Sequence, residues 1–243
     1  MLPSFYSVHH SLHKDDIDFW LSLAKLQGEP ILELGCGTGR VTSQLASAGF
    51  LTYGLDNRYD MLSYLTLTWP GDATHRARIF QADMTAFHLA THFPLIILPC
   101  NTLSTLPVMA RLATLVCVRN HLQPGGLFSA SIPNPAVLRA LPARGEAEIE
   151  ESFIHPASGN PVQVSSTWER TSDYFLVVWC YDHLLPDGRV ERMVVEARHV
   201  LIPVNVYLDE LRNAGLNAIG IYGDFDLSEY TPDSPYWIIV AGL

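Results

Sequence analysis

The residues best suited to chemistry in this chain are Glu33-Leu34-Gly35-Cys36-Gly37-Thr38-Gly39-Arg40. Glycines at alternate positions let the backbone bend sharply and approach a ligand with no side chain between. The apolar run at residues 31–34 precedes them, and helical spacing of Val41, Leu45 and Ala48 follows. The loop therefore lies where a strand turns into a helix whose first N–H groups are unpaired. A dinucleotide loop would read G-x-G-x-x-G, but Arg40 stands where its third glycine belongs. No P-loop lysine follows either. Asp56 and Asp83 each close a later strand, where an acid serves as ligand contact or as helix cap. Asn101 follows a fourth strand, at the crevice where doubly wound sheets bind ligands, with a helix cap as the alternative. The 10 histidines include no HExxH or comparable spacing, so no metal site is expected.

These residues need a framework, and the first half of the chain supplies one. Strand signals at 31–34, 50–55, 78–81, 95–98 and 127–132 alternate with helical signals at 41–48, 61–69 and 103–122. Pro70-Gly71 stops the second of these helices and Pro124-Gly125-Gly126 the third. The run at 95–98 is apolar throughout, as a strand covered on both faces must be. The fold class is α/β, a doubly wound, mostly parallel seven-stranded sheet.

From about 150 to 202 the period changes to two. Val162, Val164 and Trp168 share one face, residues 174–181 are apolar on both faces, and Met193, Val195 and Ala197 alternate with polar neighbours. This reads as an antiparallel three-stranded insertion. A helix entered at Pro203 and ended at Gly215 follows, then strands at 217–223 and 236–241. The organisation is one domain, 1–243. It comprises an N-terminal lid and helix (1–28), a core (29–149), the β insertion (150–202), and the last helix with two final strands (203–243).

Composition narrows the function. The chain has 243 residues, 48% hydrophobic and 16% charged, with net charge -10 and mean hydropathy +0.14. That composition excludes a disordered chain, and the acidity argues against nucleic acid, which needs clustered Lys and Arg. Cys36, Cys100, Cys117 and Cys180 form no paired spacing. With no signal-peptide pattern and no apolar run of membrane-spanning length, the expected location is cytoplasmic.

Glu33, Gly35, Gly37 and Gly39 match the fixed positions of E/D-x-G-x-G-x-G, and here the sequence resembles the class I S-adenosylmethionine-dependent methyltransferases. The resemblance implies that Gly35, Cys36, Gly37 and Gly39 line the cofactor, with Glu33 touching it or holding the loop from behind. Asp56 would accept both ribose hydroxyls. Asn57 and Met61 would begin the helix that packs on adenine, and Asp83-Met84 would meet the adenine amino group. Leu122-Gln123-Pro124-Gly125-Gly126-Leu127-Phe128 matches the turn before the fifth strand. The segment Phe5-Tyr6-Ser7-Val8-His9-His10 resembles the lid of small-molecule relatives, which puts Tyr6 near cofactor or substrate, with a surface segment as the alternative. Asn101 would complete the site.

The implied reaction is transfer of a sulfonium methyl to N or O, or to C, of a small-molecule acceptor, leaving S-adenosylhomocysteine. His10 and His199 are the candidate proton acceptors, and no catalytic residue is assigned. Arg40 fits either the cofactor carboxylate or a solvated helix face. Trp168, Trp179 and Tyr181 fit either a substrate wall or core packing, and the insertion fits a substrate cap or a homodimer interface. The alternatives are a nucleic-acid or protein methyltransferase and a protein that binds S-adenosylmethionine without turnover. Leu98-Pro99-Cys100-Asn101 stands where nucleic-acid amino-methylating enzymes show (D/N)-P-P-(Y/F).

Overall fold

The computed structural model describes residues 2–69 and 75–243. Helices α1 (Leu2–Ser11) and α2 (Ile17–Gln27) precede a βα series. It runs β1 (Ile31–Leu34), α3 (Arg40–Ser47), β2 (Thr52–Asp56), α4 (Tyr59–Thr68), β3 (Ala77–Gln81), β4 (Phe93–Leu98), α5 (Val108–His121) and β5 (Leu122–Pro133). A short helix α6 (Pro135–Ala140) leads to four strands, β6 (Glu148–Ile154), β7 (Pro161–Arg170), β8 (Tyr174–Leu184) and β9 (Val190–Val200). Helix α7 (Val204–Asn213) and strands β10 (Asn217–Tyr222) and β11 (Tyr236–Gly242) close the chain.

The seven-stranded sheet has the order β10-β11-β5-β4-β1-β2-β3. Strands β1 to β5 are parallel, and β11 runs antiparallel to both of its neighbours. Its central strands bury both faces, which is why they read as unbroken apolar runs. Leu32, Leu34, Ile96 and Phe128 pack on one side with Leu115 and Val118 of α5 and with Tyr207 and Leu211 of α7. Ile31, Leu95 and Ile97 pack on the other with Phe19 and Trp20 of α2 and with Val41 and Leu45 of α3. A buried ion pair, Arg111 Nη2 to Glu210 Oε1 at 2.6 Å, fastens α5 to α7.

Two expectations need correction. The insertion has four strands in the order β6-β7-β8-β9. The first escapes a period-two reading because the β6–β7 register shifts between Ile149 and Glu151. That bulge puts residues of equal parity on opposite faces. The expected helix over 103–122 is instead a 3-10 turn (Thr102–Thr105) followed by α5. Pro107 has no N–H to continue a helix and disfavours the helical conformation at Leu106, which is extended at ψ 137°. Helix α6 was not anticipated; its start is capped by Asn134, whose side chain accepts from the Ala136 N–H at 3.0 Å. The expected stop at Pro70-Gly71 lies outside the described residues.

Candidate active site

The glycine loop caps the C-terminal end of β1. Gly35, Gly37 and Gly39 all have positive φ, at 68°, 53° and 82°. One of them is required sterically. A Cβ on Gly39 would lie 2.2 Å from Leu65 Cδ1, so only glycine lets α4 pack against the loop. Gly37 brings its N–H to Asp56 Oδ2 at 2.9 Å, which ties the loop to the end of β2. The other Asp56 oxygen accepts from the Arg58 N–H at 2.8 Å. Each oxygen uses one lone pair this way, and the carboxylate stays half-buried with capacity for further donors.

The neighbouring residues gather along the same edge. Cys36 is buried with Leu62 and Leu65, and burial pushes its thiol well above the usual range. A Cβ on Gly35 would meet Met84 Cε at 3.3 Å, so Met84 lies over the loop. Met61 is buried, whereas Asn57 and Asp83 are exposed at the strand ends. Asp83 Oδ1 accepts from both the N–H and the hydroxyl of Thr85 at 2.8 Å, which hold its carboxyl below the ordinary value. Glu33 points inward from β1 and is buried, receiving the Thr42 hydroxyl of α3. Burial raises its pKa to about 7 against the opposing Thr42 bond. Glu33 thereby ties the end of β1 to α3.

A cavity of about 610 Å³ opens beside this edge, between α1, the ends of β4 and β5, and β9. Tyr6, Cys100, Asn101, Ser131, Trp179 and His199 line it. Cys100 and Asn101 both take left-handed backbone at φ 58° and 59°. That conformation costs a non-glycine residue about 1–2 kcal/mol, and such strain concentrates at functional sites. Asn101 Oδ1 is buried with no partner among the described residues, an orphaned acceptor facing the ligand crevice.

Helix α1 lies between the insertion sheet and the cavity. Phe5 and His9, one turn apart, insert into the insertion sheet. The Phe5 ring centroid lies 4.9 Å from that of His155 and 5.4 Å from that of His183, and His9 Nδ1 meets Tyr181 Oη at 2.9 Å. Tyr6 and His10 occupy the next stripe, turned to the cavity with ring centroids 3.8 Å apart. Burial raises the Tyr6 phenol, reinforced by Cys100, and burial lowers His10 to about 3. Arg40 ties down the segment that follows α1. Arg40 bonds both oxygens of Asp16 at 2.5 and 2.6 Å and also the His13 carbonyl at 2.9 Å. Its remaining contact is Cys100 Sγ at 3.1 Å. The three aromatic candidates separate: Trp179 lines the cavity, Tyr181 is core under Phe5, and Trp168 stacks on Phe175.

Residues 31–126, the span that builds the loop and its acids, match the family of proteins described as methyltransferase domain. That match spans less than half of the chain. The fold of the chain is that of the class I S-adenosylmethionine-dependent methyltransferases. A Clostridium acetobutylicum S-adenosylmethionine-dependent methyltransferase superposes with TM-score 0.82 at 16% identity, over 98% of this chain and 97% of that one. The CcbJ methyltransferase of Streptomyces caelestis gives 0.77 at 20% identity, over 93% and 94%. CalS10 from Micromonospora echinaspora, an amino pentose methyltransferase solved with S-adenosylmethionine bound, gives 0.71 at 17% identity, over 98% and 95%. No curated protein sequence matches significantly. The coverage reaches beyond the family match to α1 and the insertion, so the chain shares its whole framework with these structures.

Proposed function

We propose that this methyltransferase uses S-adenosylmethionine to methylate an amino nitrogen of a small polar molecule, with amino sugars as the best supported class. The observation that carries the reading is the cavity between lid, strand ends and insertion. Its size suits a small ligand, since such sites run to roughly 300–1,000 Å³. A macromolecule does not enter it, and the net charge of -10 repels nucleic acid. The sugar N-methyltransferase KedS8 and the amino pentose enzyme CalS10 share the fold, which supports the acceptor class.

Bound S-adenosylmethionine supplies a methyl group already activated by the sulfonium charge, and S-adenosylhomocysteine is its product. The residues present fit it. Gly35, Cys36, Gly37 and Gly39 would border it through their backbone at the end of β1, and Asp56 would offer two acceptors to the ribose. Asn57, Met61, Asp83 and Met84 would surround the adenine, and the orphaned Asn101 Oδ1 would receive a donor from the methionine end. Tyr6 closes the site from above. Orientation of reacting groups in such a closed site supplies on the order of 7–11 kcal/mol in favourable cases.

The cell location that fits is the cytoplasm, whose reducing conditions keep thiols such as the four free cysteines unpaired. Among the described residues no helix is long and apolar enough to cross a membrane. The outer face of the insertion presents Ile149, Val190 and Val194, all at least half exposed, beside Cys180. A homodimer through that face would cover them, and light scattering on the purified chain tests it. Methyl-labelled S-adenosylmethionine incubated with amino pentoses, amino hexoses and their hydroxyl counterparts tests the activity. Label on the amino sugars alone is expected. Cofactor binding without transfer to any of them would make this a binding protein, and label on RNA or protein would overturn the acceptor class.

A further inference from the structure

The cavity wall carries an imidazole that neither the glycine loop nor the acids use. His199 ends the inner row of β9, in register with Phe175 and in line with Val195 and Ala197. Its Nδ1 lies 2.8 Å from Ser104 Oγ in the 3-10 turn after Asn101. Ser104 Oγ also lies 2.7 Å from the Asn101 carbonyl, which can only accept. A hydroxyl has one hydrogen to give. That hydrogen is committed to Asn101, so Ser104 accepts from His199, and the proton of the ring sits on Nδ1. The Nε2 lone pair is then left without a protein partner among the described residues, in a side chain that lines the cavity.

The surroundings keep the ring neutral. Burial alone lowers its pKa, to about 4. Of the charged side chains around the cavity, Arg40 and Asp16 neutralise each other. Glu196 and Arg198 occupy the outward positions of β9, with Arg198 lying over the Tyr174 ring at 3.9 Å. His10, across the cavity, has no comparable fixation, since its buried Nδ1 has no partner among the described residues.

We propose that His199 Nε2 binds the acceptor, taking a hydrogen bond from its amino N–H and thereby turning the nitrogen lone pair into the crevice, with Ser104 as the positioning residue that fixes the ring's tautomer. This rests on the amine-acceptor reading above. In the transfer, the nitrogen lone pair forms the new N–CH3 bond as the sulfur–methyl bond breaks, and that bond's electron pair stays on sulfur. The resulting ammonium gives its surplus proton to solvent on release. A ring fixed in this tautomer accepts but cannot donate, so groups that only accept, such as ethers and carboxylates, meet a lone pair and are refused.

The test uses the full chain and the amino pentose that it methylates. In His199→Phe, kcat/KM for the amine is expected to fall roughly 10–100-fold, the range for a lost buried hydrogen bond, with S-adenosylmethionine affinity unchanged by calorimetry. His199→Gln, which keeps an acceptor, should recover part of the loss. Imidazole 15N shifts should show His199 protonated at Nδ1 in the wild type. In Ser104→Ala that preference should relax, and kcat/KM should fall with it. A His199→Phe variant that binds cofactor and keeps kcat/KM within threefold would overturn the proposal, as would a wild-type ring protonated at Nε2. Wild-type protein that binds no S-adenosylmethionine would instead overturn the methyl-transfer reading, a failure visible before any variant is made.

Discussion

The ion pair between Arg40 and Asp16 should decide whether the lid stays closed. It joins the first residue of α3 to the residue before α2, and its side chains are only 16% and 9% exposed. Asp16 also accepts the Trp20 indole N–H at 2.8 Å, so its carboxylate serves two donors. Removing one member of such a pair leaves a mostly buried charge uncompensated, which costs about 3–5 kcal/mol. Asp16→Ala and Arg40→Met should therefore each destabilise by amounts in that range. The double variant removes both charges together, so its loss should fall short of the sum by about 2–3 kcal/mol, the upper range for contacting residues. Urea unfolding followed by Trp fluorescence measures the cycle, with an unchanged slope confirming a true stability effect. The same variants should raise the acceptor KM, because the Arg40 side chain that Asp16 fixes also holds the His13 carbonyl, just past the helix that carries Tyr6 and His10. Additivity within about 0.5 kcal/mol would refute the reasoning.

Further outcomes follow from the same geometry. Gly39→Ala should lose about 1–2 kcal/mol from its left-handed backbone and a further 1–3 kcal/mol or so from overpacking on Leu65, measured by thermal unfolding. Asp56→Ala should weaken S-adenosylmethionine binding roughly 100-fold, the equivalent of losing charge-assisted hydrogen bonds; calorimetry showing wild-type affinity would remove Asp56 from the ribose site. His10 and His199 have folded pKa values of about 3 and about 4, below the 6.5 of the unfolded chain. The unfolded state therefore binds their protons first, and stability should drop as pH falls below 6.5, by up to about 1.4 kcal/mol per pH unit for each ring. Glu33 has the opposite sign: its folded pKa of about 7 means stability is lost as pH rises from 4.5 through 7. Glu33→Gln should accordingly be more stable than wild type at pH 8 in urea titrations, and equal stability there would show that the carboxylate is solvated.

Much of the framework was legible because its signals are local. Glycines at 35, 37 and 39 and acids at 56 and 83 sit at strand ends that apolar runs mark on their own, and the structure brings them to one edge. The insertion was legible by its period of two, but its first strand was hidden by the bulge at Ile149–Glu151. Pro107 carried a helix-breaking signal that the apolar run around it masked, and Asn134-Pro135 carried an overlooked helix start. Other features depend on contacts far apart in the chain. Ser104 and His199 lie 95 residues apart, and Arg40 reaches back 24 residues to Asp16. Nothing in local spacing announces such pairs, because only the closed fold sets their distance. The apolar strand at 174–181 shows the same limit. Its two faces meet different things, the lid and cavity inside and the exposed apolar row outside.

The central claim is that the edge formed by the glycine loop, Asp56 and Asp83 holds S-adenosylmethionine with its methyl end turned toward the cavity under α1. A crystal structure of the chain with S-adenosylhomocysteine tests it most directly. Ribose hydroxyls are expected on the Asp56 carboxylate, adenine against Met61 and Met84, and sulfur facing the cavity that His199 and Tyr6 line. A cofactor bound elsewhere, or bound here with Asp56 out of hydrogen-bond reach of the ribose, would contradict it.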